Sequence, residues 1–194
     1  MVLAGTNAVE LYAVAPSYQA YKFGEVGLTL HSKKRNFKPL VRWFYGAPGT
    51  GKSFTAHHLL GEDVYTQALP NFDWWPGYHG QENVLLDEFR ARKCPLSTLL
   101  SLLDRYPFQV AFKGGNASFM GRHIIVTCPF APHDVYRDEK EDMWQLYRRI
   151  DEIWYFEGSP GTAPIRMRYT RGISIPEKLP LPYDPLPLPP PPDV

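Results

Sequence analysis

Eight residues, Gly46-Ala47-Pro48-Gly49-Thr50-Gly51-Lys52-Ser53, restrict this 194-residue chain more than any other feature. They satisfy G-x-x-x-x-G-K-S/T at every fixed position. An apolar run, Val41-Arg42-Trp43-Phe44-Tyr45, precedes them, and a helix-compatible stretch from Lys52 to Leu60 follows. Strand, glycine-rich turn and helix in that order wrap successive backbone amides around an anion, with the helix N-terminus behind them. The pattern predicts a polyphosphate cradle made by Gly46, Ala47, Pro48, Gly49, Thr50, Gly51, Lys52 and Ser53. Lys52 reaches the β- and γ-phosphates, and the Ser53 hydroxyl holds Mg²⁺.

A cradle of this kind needs an acid at the end of a neighbouring strand, and Val84-Leu85-Leu86-Asp87-Glu88-Phe89 supplies one. Asp87 positions the metal and Glu88 polarises the attacking water, which separates a hydrolase from an enzyme that passes phosphate to a bound acceptor. The surrounding pattern alternates. Strands are expected at Val64-Tyr65, Val84–Leu86, His123–Thr127 and Ile153–Phe156, and helices at Leu96–Arg105 and about 139–150. Such alternation implies an α/β fold with a mostly parallel sheet covered on both faces.

Composition narrows the remaining possibilities. Hydrophobic residues make up 44% and aromatics 14%, enough for a real core. Twenty-one basic residues against twenty acidic give a net charge of +1, so any nucleic-acid contact must rest on a local patch. Two cysteines, Cys94 and Cys128, exclude a disulfide scaffold and a four-cysteine zinc site. Neither a membrane span nor a secretory leader is visible, which points to a soluble, intracellular chain without a membrane partner. Three regions are expected: a helical lead-in over 1–38, a phosphate-binding domain over 39–172 and a proline-rich tail over 173–194. The tail should be disordered, extended polyproline-type chain outside the core. The basic run Ser32-Lys33-Lys34-Arg35 could touch phosphates, act as a nuclear address or serve as a solvated linker.

The segment Asp73-Trp74-Trp75-Pro76-Gly77-Tyr78-His79-Gly80-Gln81-Glu82, running into Asp87-Glu88, resembles a known signature. It is similar to the WW-x-GY-x-GQ motif in replication-associated (Rep) proteins of small circular single-stranded DNA viruses, of circovirus type. The ATPase part of those proteins is a superfamily 3 helicase, related to the picornavirus-type RNA helicases. The resemblance runs from about Pro16 to Phe156 and implies an AAA+-like, three-layer P-loop NTPase.

The resemblance also implies further roles. Lys113-Gly114-Gly115 is similar to the hairpin that projects into the pore of a ring, where Lys113, on its Gly114 turn, grips a single strand. Thr127 matches the third motif and is assigned to the nucleotide site, while Cys128 and Pro129 stand where Ser and a sensor Asn are usual. Leu146-Tyr147-Arg148-Arg149-Ile150 resembles a helix end whose arginine acts in the neighbouring subunit's site, with Arg149 preferred over Arg148. A hexameric ring follows, with the lead-in as its oligomerisation segment and the host nucleus as its location.

Other motifs are set aside. Tyr18-Gln19-Ala20-Tyr21-Lys22 departs from the Y-x-x-K spacing of a nicking site and no His-hydrophobe-His motif precedes it, so no nicking endonuclease is expected in this chain and a helicase-only segment of a longer Rep is. Tyr18 and Lys22 fit as neighbours on one helix face. His57 and His58 are adjacent on a helix and point apart, which rules out a shared metal site. Trp74 and Trp75 could stack adenine or bases, but packing beneath the phosphate loop is the favoured use. Two alternatives to a DNA motor remain: a picornavirus-type relative acting on RNA, and a Rep-derived fragment that oligomerises or binds nucleic acid without turnover.

Overall fold

The computed structural model describes residues 13–15, 17–20, 24, 34–68, 72–113, 115–138, 140–158 and 162–167, and the backbone of 168 and 177–179. Its centre is β1 (Leu40–Gly46), which pairs in parallel with β6 (His123–Cys128) on one side and β7 (Glu152–Phe156) on the other. Beyond β6 lie β3 (Asn83–Leu86) and then β2 (Val64–Gln67), both parallel. Two strands, β8 (Ile165–Arg168) and β9 (Glu177–Leu179), extend the other edge antiparallel, giving the order β2-β3-β6-β1-β7-β8-β9. The expected α/β character is therefore present in a mixed sheet. The sequence reading did not anticipate β8 or β9. β9 lies inside the expected tail, between Pro176 and Pro180, and it occupies the sheet edge, where proline is tolerated. The rest of the tail lies outside the described residues.

Strand alternation divides the core in two. Phe44, Leu85, Ile125 and Phe156 face one side, where α1 (Lys52–Leu60) lays Ala56 and Leu60 against them. Trp43, Val84, Leu86, Ile124 and Val126 face the other, against Leu96, Leu99 and Leu102 of α2 (Leu96–Leu102) and a cluster of aromatic rings. Each buried Val, Leu, Ile or Phe among them contributes about 1.5–3 kcal/mol. A separate hairpin, β4 (Gln109–Phe112) with β5 (Gly115–Ser118), stands off this layer and is anchored by the buried Val110.

Three expectations change. The helix read to Arg105 stops at Leu102, where the guanidinium of Arg35 takes the carbonyls of Ser101, Leu102 and Tyr106 at 2.7–3.1 Å. Arg35 is 1% exposed, sits over the Phe119 ring and has its pKa lowered by burial to about 10. It is therefore a helix-end clamp, and no phosphate can reach it. The single helix expected over 139–150 reduces to α3 (Pro132–Val135) before it and one turn, α4 (Trp144–Tyr147), within it. Asp142 Oδ1 accepts from the Trp144 amide at 2.9 Å, so the acidic run serves as a start signal and not as helix interior.

Of the lead-in, 13–14, 18–20 and 24 are helical, and Ser17 Oγ accepts from the Ala20 amide at 3.2 Å. Lys22, Ser32 and Lys33 lie outside the described residues, as does any oligomerising surface of 1–12. No helix among the described residues is long and apolar enough to cross a membrane.

Candidate functional site: a phosphate loop and an acidic strand end

β1 ends at Gly46 and the chain turns through Ala47–Thr50 into α1, whose N-cap Gly51 is left-handed at φ +89°. First-turn amides of a helix have no acceptor within it, and the first turn of α1 carries no acidic side chain to cancel their field. Lys52 is 6% exposed and donates through Nζ to the carbonyls of Gly46 at 2.9 Å and Ala47 at 2.6 Å. Burial lowers its pKa, and the Glu88 carboxylate acts in the opposite sense. Thr50 Oγ1 donates to Ala47 O at 2.9 Å, which ties the loop to itself.

Strand parity brings the acid to this loop. Leu86 is level with Val126, so Asp87 follows beside Thr127, with both on the face that α1 covers. Asp87 Oδ1 accepts two hydrogen bonds, from Ser53 Oγ at 2.7 Å and from Thr127 Oγ1 at 2.7 Å. Thr127, fully buried, also accepts the Glu88 amide at 3.0 Å. The Asp87 amide donates to Gln67 O at 3.0 Å, and the Phe89 amide to Thr127 O at 2.8 Å. The acidic turn is thus fixed by the strands on either side of it, β2 and β6, and by α1 through Ser53. A hydroxyl and a carboxylate oxygen brought together beside a phosphate loop are hard donors that suit Mg²⁺.

Residues 42–130 match the RNA helicase family model. The replication-associated proteins of porcine circovirus 1, beak and feather disease virus and porcine circovirus 2 are 38%, 35% and 35% identical over 134, 131 and 128 residues. Those matches cover 67%, 68% and 66% of this chain and 42%, 44% and 40% of the respective relatives. The chain carries a superfamily 3 RNA-helicase domain and matches circovirus replication-associated proteins. It spans less than half the length of the curated relatives it matches.

The remaining motif residues of this helicase domain fall at different places. Glu88 takes the left-handed conformation at φ 50°, and its exposed carboxylate pairs with Arg90 Nη2 at 2.8 Å. Arg90 also donates to Phe89 O at 2.8 Å. Cys128 is buried against Phe89 O, 3.3 Å away, and burial pushes its thiol up to about 11, which suits a packing residue and not a nucleophile. His57 and His58 are exposed in the last turn of α1.

The two arginines are far from the phosphate loop of their own chain. In the β1–β7 register Gly46 is level with Phe156 and Arg42 with Glu152, so Arg148 and Arg149 precede the opposite end of the sheet. Roughly 13 Å of strand separates the two ends. Arg149 is engaged: Nη2 and Nε donate to Asp104 Oδ2 at 2.5 and 3.1 Å, and Nη1 donates to Gln145 O at 2.7 Å. Arg148 is exposed, beside Lys38, Arg105 and Tyr106, on a cavity of about 310 Å³. Lys113 is exposed in the turn of the β4–β5 hairpin, and Gly114 lies outside the described residues.

Sequence reasoning missed Arg90, Asp104 and Gln67. Gln67 is 2% exposed and donates to Trp74 O at 2.7 Å. None of the three belongs to a motif: Asp104 and Gln67 are defined by partners that the fold supplies, and Arg90 by the left-handed turn at Glu88, whose carboxylate it pairs with.

Proposed function

We propose that this domain binds Mg·ATP in the Gly46–Ser53 loop and hydrolyses it to drive movement along single-stranded DNA during viral genome replication. The observation that carries this reading is the pair of hydroxyls, Ser53 and Thr127, converging on Asp87 Oδ1 beside Lys52. Lys52 and the first-turn amides of α1 bind and orient the polyphosphate. Ser53 and Asp87 would hold magnesium, which supplies charge neutralisation at the phosphoryl group being transferred. Glu88 polarises the attacking water, and Arg90 sets where its carboxylate points. Thr127 takes over the orienting task of the missing sensor Asn, since its hydroxyl bonds both Asp87 and the Glu88 amide. This intact network favours an enzyme over a non-catalytic fragment despite Pro129.

The strand order β2-β3-β6-β1-β7, with α1 on one face and α2 on the other, supports an AAA+-like three-layer architecture. The distance between the arginines and their own phosphate loop favours action on a neighbouring subunit in a hexameric ring. Here the preference shifts to Arg148 as the reaching side chain. Arg149 is occupied by Asp104 and Gln145 and buttresses the turn. The location would be the host nucleus. The description of the matched family as RNA helicase favours a second reading, in which the strand is RNA.

Mixing two inactive variants tests the shared site. Lys52→Ala disables phosphate binding by its own loop, and Arg148→Ala removes the arginine supplied to the neighbour. In an equimolar mixture about one interface in four joins an intact loop to an intact Arg148, so turnover should recover to ~25% of wild type. Phosphate release that stays at the level of the separate variants would rule out action in trans by Arg148. Performing the assay with single-stranded DNA and RNA in parallel identifies the strand by which one stimulates turnover.

A further inference from the structure

The twin tryptophans differ in environment. Trp75 is 2% exposed, with Tyr65, Phe72, Tyr78 and Phe119 rings 5.3–5.7 Å away, so the favoured packing role fits it. That role does not fit Trp74, which is 50% exposed. The peptide unit between them has a use of its own, because distant elements take both of its polar ends. The Trp74 carbonyl accepts from Gln67 Nε2 at 2.7 Å, and the Trp75 amide donates to Ala111 O of β4 at 2.8 Å. Trp74 also forms a parallel bridge with Ala111. A peptide unit is planar and stiff, so the 74–75 unit is a strut between β2 and the hairpin.

The near end of this strut meets the acidic strand end. Gln67 closes β2 level with Leu86, and its own carbonyl accepts the Asp87 amide at 3.0 Å. One residue thus holds the acidic turn with its main chain and the support of the hairpin with its side chain. Gln67 is 2% exposed, and hydrogen bonds in such a setting are strengthened by the low local dielectric. Three hydrogen bonds in series run from Asp87, which Ser53 and Thr127 engage, to Ala111, two positions before Lys113. The hairpin is also anchored through the buried Val110 and through the Met120 amide, which donates to the Tyr78 hydroxyl at 2.7 Å. Neither anchor includes a residue of the acidic turn.

We infer that Gln67 is a positioning residue that couples occupancy of the phosphate loop to the setting of the β4–β5 hairpin. This role rests on the proposed nucleotide and strand sites and deepens them. A shift of the acidic turn as the loop fills moves Gln67, and the strut carries that movement to β4. A strand that displaces the hairpin acts back on the acidic turn, since coupling between two sites is reciprocal. Gln67 itself needs to touch neither nucleotide nor strand.

Affinity for oligothymidine (oligouridine in parallel), with and without magnesium and a non-hydrolysable ATP analogue, gives the coupling as a ratio. In the wild-type chain this ratio should be at least ~5, and analogue affinity with and without the oligonucleotide should give the same factor. Gln67→Met keeps an unbranched side chain of similar length and lacks the donor. It should bring both ratios below ~2. Ile153→Val trims the core on β7 and should lower the thermal midpoint while leaving the ratio at its wild-type value. A second measurement needs no variant: hydrogen exchange of the Trp75 amide in the wild type should change when magnesium and the analogue are added. A ratio that survives Gln67→Met, an equal loss in Ile153→Val, or Trp75 exchange indifferent to the analogue overturns the role of Gln67 and leaves the motor reading standing. A wild-type ratio of 1 overturns that reading and the coupling with it.

Discussion

Lys52→Ala should abolish nucleotide turnover, lowering phosphate release by at least ~10³-fold, while the domain stays folded. A preorganised cation at a transferring phosphoryl group is worth roughly 10²–10³ in rate. Here the loss is compounded, because Lys52 Nζ also ties the Gly46 and Ala47 carbonyls together at 2.9 and 2.6 Å. Removing these bonds loosens the cradle as well as discharging it. The structural cost is modest, about 1–2 kcal/mol, since the carbonyls lose one partner each and no charge is left buried. Phosphate release and urea unfolding measured on the same preparation check both halves. Turnover above a tenth of wild type would place the phosphates elsewhere.

The largest effect on stability should come from Gly46→Ala. Gly46 has φ +144°, a backbone conformation that side-chain-bearing residues rarely adopt. A Cβ there would also lie well inside van der Waals contact of the Phe156 carbonyl oxygen, on the strand paired with β1. The two central strands would have to part at the point where the phosphate loop begins. We expect a loss of at least ~3 kcal/mol. Gly51→Ala is the informative control. Gly51 has φ +89° but open space where its Cβ would go, so its cost should be only the left-handed penalty of ~1–2 kcal/mol. Urea denaturation midpoints compare the pair, and equal losses would contradict the steric account.

These contrasts show which parts of the chain were legible from residues alone. The strand-loop-helix unit was readable because its chemistry is local: glycines, Lys52 and Ser53 act within eight positions, and α1 occupies the expected Lys52–Leu60 span. The core strands were readable from apolar runs, and Asp87 from its place at the end of one of them. Long-range side-chain pairs were not. Arg149 meets Asp104 across 45 positions, and Arg35 meets Leu102 across 67, with no periodicity to announce either. The acidic run before α4 misled because charged residues suit an exposed helix face and a helix start equally well, and only the Asp142–Trp144 hydrogen bond decides between them. The twin tryptophans were ambiguous for a related reason. Alternation says that they face opposite ways, but only the fold says which one meets water.

Calorimetric titration with a non-hydrolysable ATP analogue tests the central claim most directly. With magnesium present, one equivalent per chain should bind to the wild-type protein. Lys52→Ala should give no heat, and Asp87→Asn should bind with an affinity that no longer responds to magnesium. Absence of heat in the wild type, or a magnesium response undiminished in Asp87→Asn, would contradict a triphosphate and its metal lying between residues 46–53 and the acidic strand end.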